Sequence, residues 1–368
     1  MSLDLFKSQF YFNNEHCNFN NAGQAQIPEI YKKTLNHWLE RMHKEGALMS
    51  QEGWLEVEKA REKLAAFLGA DIDETSIQLT TASSISQAAF GIPLNEGDEI
   101  LTWDQEYPSN FYPWRVAAEK NKAKLIQVAS ENFNTPAENI INKITAKTKV
   151  IAVSWVQYQT GSVTDLKKIS EAVKGKDIWL VADVIQGVGV RPFNFHDSSF
   201  DIIGGGSHKW LCSSYGAAFL LVKKERIPQL APIEVGAMTY GNPDTVKSFS
   251  INPKNNSHRF EPGSKAMLEV IAMGEVAQLL GSVGIENIFK EACRLADLLR
   301  AGLRQRGYTL NCTSGPIVNF TTNDLQIVES KLTKARIAFV KRGPGIRVST
   351  HAYNRDEHVN YFFKVLDS

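Results

Sequence analysis

The stretch IWLVADVIQGVGVRPFNFHDSSFDIIGGGSHKW, residues Ile178–Trp210, decides the fold and the position of the candidate site. Its apolar run over Ile178–Ala182 predicts a buried strand that ends at Asp183. A second short strand leads into the glycine run Gly204–Gly206, and Lys209 follows that run. We therefore expect one carboxylate and one lysine to lie at the ends of strands.

Strands and helices alternate on both sides of this stretch, with short connections between them. Further strands are predicted over 76–81, 99–103, 123–129, 149–156 and 217–222. This order predicts a largely parallel sheet between layers of helices, with ligands at the carboxyl ends of its strands. A loosely patterned connector follows Leu230, and α and β patterns then resume. We expect an N-terminal segment over 1–20 that packs on the small domain, a large domain over 21–240 that carries the site, and a small α+β domain over 241–368.

The composition indicates a small-molecule ligand. The chain has 368 residues, 43% of them hydrophobic, which is enough for a sizeable core. The formal net charge of +1 and the lack of a dense Lys/Arg tract argue against a nucleic-acid partner. No apolar run approaches the length of a membrane span, and the first residues lack a signal-peptide pattern. We expect a cytoplasmic protein without a membrane or nucleic-acid partner.

The four cysteines fit a reducing compartment. Cys17, Cys212, Cys293 and Cys312 show no CxxC spacing and no pattern of paired bridges. We expect no metal site.

The sequence TTASSIS, which begins at Thr80, runs from a predicted strand through small hydroxyl residues into a helix. The free N–H groups and the positive dipole end of such a helix suit a phosphate. A serine N-cap without any ligand is the alternative.

A lysine and a carboxylate at strand ends are the two groups that pyridoxal phosphate chemistry requires. The lysine amine forms a Schiff base and later moves a proton, and the acid keeps the pyridine nitrogen protonated. We assign Lys209 to the first role and Asp183 to the second. The alternatives are a capping role for Asp183 and a solvated surface position for Lys209. His208 is either a base beside the site or a packed histidine.

Five motifs, in this order along the chain, resemble the class V aminotransferase family of fold-type-I pyridoxal phosphate enzymes. They are EYPSNFYPW from Glu106, ADVIQGVG from Ala182, GGGSHKWL from Gly204, HRFEPGS from His258 and GIRVSTHAYN from Gly345. The resemblance extends from FNNAG at Phe19 to the last of these motifs. It implies an α/β fold: a large domain with a mostly parallel seven-stranded-type sheet between helices, and a smaller C-terminal α+β domain.

The resemblance also implies how the cofactor is held. Lys209 would carry the Schiff base, Asp183 would pair with the pyridine nitrogen, and Gln186 would lie near the phenolic oxygen. Tyr107 would stack on the ring, which favours an aromatic face. The other implied cofactor-binding residues are Ala82, Ser83, Ser207 and His208 at the phosphate, Gln157 or Tyr158 near the cofactor oxygen, and Gly263 and Ser264, which would reach the phosphate of a neighbouring subunit. The implied assembly is a homodimer with composite sites.

The implied substrate is a small amino acid or keto acid. Arg347 would bind its carboxylate through a bidentate guanidinium. Asn21, Ala22 and Gly23 would border the same carboxylate. Tyr240, the loop 241–257 and His351 are unranked candidates for the wall around the substrate side chain.

One departure from the family bears on the reaction. Cysteine desulfurases carry a nucleophilic cysteine shortly before the carboxylate-binding arginine, and residues 330–336 contain none. Cys212 follows the lysine too closely to serve. We therefore expect a class V aminotransferase rather than a persulfide-forming desulfurase. A lyase or epimerase similar to selenocysteine lyase, kynureninase or isopenicillin N epimerase is the alternative, and a cofactor-binding protein without turnover is another.

Overall fold

The computed structural model describes residues 1–13, 16–240, 252–311 and 314–368. Its strands are β1 (Cys17–Asn18), β2 (Thr75–Gln78), β3 (Glu99–Trp103), β4 (Lys124–Val128), β5 (Thr148–Ser154), β6 (Trp179–Asp183), β7 (Ile202–Gly206), β8 (Ala218–Val222), β9 (Thr309–Leu310), β10 (Ile317–Thr321), β11 (Ile337–Ala338), β12 (Val340–Arg342) and β13 (Gly345–Ser349). Its helices are α1 (Leu3–Lys7), α2 (Glu29–Glu45), α3 (Ser50–Leu68), α4 (Thr81–Gly91), α5 (Pro108–Asn121), α6 (Ala137–Ile141), α7 (Leu166–Ala172), α8 (Phe195–Ser198), α9 (Ala237–Tyr240), α10 (Met267–Val283), α11 (Ile285–Gln305), α12 (Leu325–Lys334) and α13 (Asp356–Asp367).

A seven-stranded sheet forms the centre of the larger part of the molecule. Its strand order is β2-β8-β7-β6-β5-β3-β4. Five adjacent strands are parallel, namely β7, β6, β5, β3 and β4. Strand β8 runs antiparallel to both of its neighbours, β7 and β2. The predicted α/β fold with a mostly parallel sheet is confirmed.

The opening stretch of the sequence forms the middle of this sheet. Every residue of β6 is buried, as expected for a strand that is covered on both faces. β6 and β7 are neighbours, and the register pairs Asp183 with Gly204. Because parallel strands end at the same edge, the segment that follows Asp183 and the segment that carries Lys209 leave the sheet side by side.

Helix α4 begins earlier than the sequence suggested. We expected a strand over 76–81 and a helical pattern from Ile85, but the strand ends at Gln78 and the helix begins at Thr81. A capping box explains the difference: the Ser83 N–H donates to Thr80 Oγ1 at 3.0 Å, and the Thr80 N–H donates to Ser83 Oγ at 3.0 Å. The helix N-terminus therefore lies at the carboxyl edge of the sheet.

A four-stranded antiparallel sheet of order β12-β13-β10-β9 forms the smaller part, with its own apolar cluster among α11, α12 and α13. The N-terminal segment contacts this part through β1, which pairs in parallel with β11. Ser349, at the end of β13, bridges to Asn20. The domain boundaries at residues 20 and 240 stay a proposal.

Helices α10 and α11 follow one another with only Gly284 between them. Among the residues that the structure describes, no single helix is long and apolar enough to cross a membrane. By length and composition alone the two together would be, although they are bent by 82°.

Candidate active site

A cavity of about 450 Å³ opens at the carboxyl edge of the large sheet, where the small sheet and the N-terminal segment meet it. It brings together residues that are far apart in the sequence. Its lining comprises Ala22, Gly23, Thr80, Thr81, Ala82, Tyr107, Ser109, Tyr158, Asp183, Ile185, Gln186, His208, Lys209, Tyr215, Arg342 and Arg347.

Asp183 supplies the carboxylate of the cavity from the end of β6. Its side chain is buried, and Oδ1 accepts a hydrogen bond from the Ile185 N–H at 2.9 Å. Burial raises the pKa of Asp183 to about 6, while the Ile185 N–H and the charge of Lys209 oppose this rise. The group is therefore mostly a carboxylate at pH 7 and can face a cationic ring nitrogen.

Lys209 supplies the amine. It is 9% exposed, and its Nζ lies 5.5 Å from the centre of the Tyr107 ring. Burial lowers the pKa of Lys209 to about 8, against the opposing effect of Asp183. The charges of Arg347 and Arg342 lower this pKa further. At pH 7 about a tenth of the amine with such a pKa is neutral and nucleophilic, far more than for an unperturbed lysine.

Gln186 connects three segments around the amine. Its Nε2 donates to the Ala22 carbonyl at 3.0 Å, and its Oε1 accepts from Trp210 Nε1 at 3.0 Å. The turn after β6, the segment after β7 and the N-terminal segment are thus held together directly beside Lys209.

The N-terminus of α4 forms one end of the cavity through Thr80, Thr81 and Ala82. The Thr81 hydroxyl is buried and has no hydrogen-bond partner among the described residues. A Cβ at Gly206 would lie 2.8 Å from Thr81 Oγ1, so the glycine keeps this end open. An unpartnered hydroxyl at a helix N-terminus fits an anion such as a phosphate.

His208 closes the same end of the cavity. Its ring stacks on Tyr215 with the centroids 4.5 Å apart, and Tyr215 donates from its hydroxyl to Gln24 Oε1 at 3.1 Å. Burial, and then the charge of Lys209, lower the pKa of His208 to about 4. The imidazole is therefore neutral at physiological pH.

Arg347 brings a guanidinium into the cavity from β13. It is 3% exposed, and it donates to the Tyr158 carbonyl at 2.5 Å and to Asn20 Oδ1 at 3.0 Å. Its Nε has no partner among the described residues, and none of their carboxylates forms an ion pair with it. Burial lowers the pKa of Arg347 to about 10, with a further contribution from Arg342.

Six of the predicted site residues do not line the cavity. Gln157 is buried and donates to Glu106 Oε1 at 3.2 Å. The Ser207 hydroxyl donates to the Ala217 carbonyl at 2.6 Å, and the Asn21 amide donates to the Ser349 carbonyl at 2.7 Å. Ser83 closes the capping box and, with Gly263 and Ser264, lines a separate pocket of about 80 Å³.

The structure adds residues that the sequence reasoning had not assigned. They are Thr80, Thr81, Ser109, Ile185, Tyr215 and Arg342 in the lining, and Asn20 behind Arg347. Thr81 adjoins the predicted phosphate turn, and Asn20 precedes the predicted Asn21, so both were within reach of the motifs. Arg342 reaches the cavity through the pairing of β12 with β13, and no sequence motif marked it as a site residue.

Other side chains considered from the sequence lie elsewhere. His351 is fully buried and contacts the Trp210 carbonyl at 3.1 Å and Cys212 Sγ at 3.6 Å. None of the described cysteines, Cys17, Cys212 and Cys293, lines the cavity. Tyr240 ends α9, whereas residues 241–251 and Cys312 lie outside the described residues.

These groups fit pyridoxal phosphate. The cavity offers a buried amine, a buried carboxylate, an exposed aromatic face at Tyr107 and a helix N-terminus with an unpartnered hydroxyl. Lys209, Asp183, Tyr107 and Thr81 are the residues that would hold the amine-reactive carbon, the ring nitrogen, the ring face and the phosphate.

Comparisons with known proteins agree with this assignment. A probable cysteine desulfurase from Synechocystis sp. is 26% identical over 298 residues, which cover 77% of this chain and 69% of the relative. The uncharacterized aminotransferase YcbU of Bacillus subtilis is 23% identical, covering 94% of this chain and 92% of the relative.

Two solved structures share the fold. The apo cysteine desulfurase from Thermococcus onnurineus NA1 superimposes with a TM-score of 0.90 at 20% identity, covering 99% of this chain and 97% of that chain. The cystine C-S lyase C-DES, in complex with its reaction product cysteine persulfide, gives a TM-score of 0.88 at 21% identity, covering 96% and 98%.

A family model described as aminotransferase class-V matches residues 18–362, which include every lining residue of the cavity. The chain therefore belongs to the class V aminotransferase family and is a pyridoxal phosphate-dependent enzyme.

Proposed function

We propose that the protein is an aminotransferase that moves an amino group between a small amino acid and a small keto acid. The position and charge of Arg347 support this proposal. Its guanidinium is buried and lines the same cavity as Lys209 and Asp183, without an ion-pair partner among the described residues. An unpaired buried cation is costly, so the carboxylate of a ligand would stabilise it.

The residues divide the work by their chemistry. When bound, pyridoxal phosphate withdraws electrons and so stabilises negative charge on the α carbon of an amino acid. Asp183 holds the ring nitrogen in its cationic form. Lys209 Nζ takes the proton from the substrate Cα, and its pKa of about 8 suits proton transfer near neutral pH. Arg347 fixes the carboxylate, which orients the Cα–H bond toward Lys209.

Transfer of the amino group is the direct test. Purified enzyme loaded with cofactor is incubated with amino acid and keto acid pairs, and the newly formed amino acid is measured. Lys209→Ala abolishes transfer in this proposal, whereas Lys224→Ala, at an exposed lysine, leaves it unchanged. Transfer that survives Lys209→Ala contradicts the proposal, and so does a loaded enzyme that transfers with no pair.

A lyase is the second candidate. The support is that the described thiols lie outside the cavity and that the chain resembles a cystine C-S lyase in fold. Such a reaction eliminates a sulfur group from the substrate β carbon and needs no protein thiol. Release of ammonia and a keto acid, without amination of an added keto acid, distinguishes this candidate from the first.

We further propose that the enzyme is a cytoplasmic homodimer whose partners are small molecules. Gly263 and Ser264 border the pocket beside Ser83 rather than the cavity, a position from which they could face a second copy. Leu79, in the same pocket, is 56% exposed. Light scattering after size-exclusion chromatography measures the mass, and a monomer at micromolar concentration contradicts the dimer.

A further inference from the structure

Arg342 and Arg347 face the same side of the β12–β13 hairpin. The register pairs Val340 with Arg347, and Arg342 lies two residues beyond Val340 on the same strand. Side chains alternate between the two faces of a strand, so Val340, Arg342 and Arg347 share one face. Lys341 points to the other face, where it forms an ion pair with Glu329 at 3.1 Å.

Arg342 has no acidic partner in the part of the chain that the structure describes. The hydrogen bond made by its guanidinium is a long one, 3.5 Å to the Lys341 carbonyl. It lines the cavity with Lys209 and Arg347, and Asp183 is the acid in that lining. Its charge lowers the pKa values of Arg347 and Lys209. Three cations thus share one cavity with one carboxylate.

The proposed function gives a role to Asp183, Lys209 and Arg347 but leaves the charge of Arg342 without one. Asp183 faces the ring nitrogen, and Arg347 faces the α-carboxylate of the substrate. Arg342 is exposed, whereas Arg347 is buried, so Arg342 lies nearer the mouth of the cavity. A substrate bound at Arg347 would extend its side chain away from the buried carboxylate site.

We propose that Arg342 binds an anionic group at the end of the substrate side chain, so that the enzyme prefers amino acids with an acidic side chain. This inference rests on the proposed function. The chemistry of the group is that of an anionic oxygen, either a carboxylate or a phosphate, because both match the two parallel N–H donors of a guanidinium.

Binding is measured from the change in absorbance of the bound cofactor as amino acids are titrated. Three matched pairs are compared: aspartate with asparagine, glutamate with glutamine, and O-phosphoserine with serine. The acidic member of at least one pair is expected to bind about tenfold more tightly to the wild-type enzyme. The first two pairs report a carboxylate, and the third reports a phosphate.

Variants assign that preference to one side chain. Arg342→Ala is expected to remove the preference for the acidic member of a pair, and Arg342→Lys to retain part of it. Lys341→Ala, at a side chain on the other face of the same strand, is expected to retain all of it. Equal binding within all three pairs overturns the inference, as does a preference that persists in Arg342→Ala. An equal loss for acidic and neutral members in Arg342→Ala also overturns it, because Arg342 would then act on the α-carboxylate.

The two proposals fail in different ways. If neutral amino acids still change the absorbance while acidic ones show no advantage, this inference alone fails. If no amino acid changes the absorbance of the loaded enzyme, the proposed function fails, and this inference fails with it.

Discussion

Asp183 and Lys209 stabilise each other's charge across the same cavity. The amine lowers the pKa of the carboxyl, and the carboxylate raises the pKa of the amine, although burial acts against both charges. Asp183 ends β6, and Lys209 follows β7, the neighbouring strand of the same sheet. The register that pairs Asp183 with Gly204 therefore sets the relative position of the two side chains. The chemistry of the site therefore depends on the rigid centre of the fold.

Replacement of Asp183 by asparagine should leave the fold intact and impair the reaction. The amide oxygen can still accept the Ile185 N–H, but it cannot balance a cationic ring nitrogen. We expect kcat/KM to fall by about 100-fold or more. The exposed Asp177, which pairs with Lys149, provides the control, since Asp177→Asn should change nothing. Wild-type rates in Asp183→Asn would remove the carboxylate from the mechanism.

Replacement of Arg347 by lysine should weaken substrate binding. Lysine keeps the charge but loses the two donors that contact the Tyr158 carbonyl and Asn20 Oδ1. We expect kcat/KM to fall by about 100-fold, mainly through a higher KM. Arg115→Lys, at an exposed arginine paired with Glu119, is the matched control. An unchanged KM would show that the carboxylate binds elsewhere.

Glu106 should make stability depend on pH. Burial raises the pKa of Glu106 to about 7, although Ser154 and Asn110 donate hydrogen bonds to it. Because the folded-state pKa exceeds the unfolded value of about 4.5, its stabilising contribution is complete below pH 4.5 and is lost as the pH rises to 7.

The variant Glu106→Gln lacks this titration. The unfolding free energy of the wild type minus that of Glu106→Gln should fall by about 3 kcal/mol between pH 4.5 and pH 7. Urea unfolding curves at several pH values give this difference. A difference that stays constant with pH would contradict the raised pKa.

Gly189 should tolerate no side chain. It has a φ of +99°, and a Cβ there would lie 2.4 Å from the carbonyl carbon of Trp210, next to Lys209. We expect Gly189→Ala to lower the free energy of unfolding by about 3 kcal/mol, from strain and overpacking together. At Gly175, with a φ of +80° and open space around it, alanine should cost about 1 kcal/mol. Equal losses at both positions would show that the clash is relieved.

The strand pattern and the motif order carried much of the prediction. The apolar run before Asp183 and the glycine run before Lys209 are local signals, and the structure places both residues in one cavity with Gln186, Ala82 and Tyr107. Their neighbourhood follows from parallel strands that end at one edge.

The remaining assignments depend on turn geometry and tertiary contacts, which the local sequence pattern does not show. FNNAG presents two adjacent asparagines, and the turn directs Asn20 to Arg347 while Asn21 binds the Ser349 carbonyl. The capping box decides that Thr81 rather than Ser83 faces the cavity. Arg342 enters through the register of a hairpin, which the sequence pattern did not specify.

The hydrogen bond between Arg347 and Asn20 joins residues that are 327 positions apart. A ribosome has released all seven strands of the large sheet, from β2 to β8, long before it adds Arg347. A nascent chain can therefore already hold the lysine, the carboxylate and the helix end that suit the cofactor, while the wall that contains Arg347 does not yet exist. In the growing chain, the parts that suit the cofactor precede the part that would select the substrate.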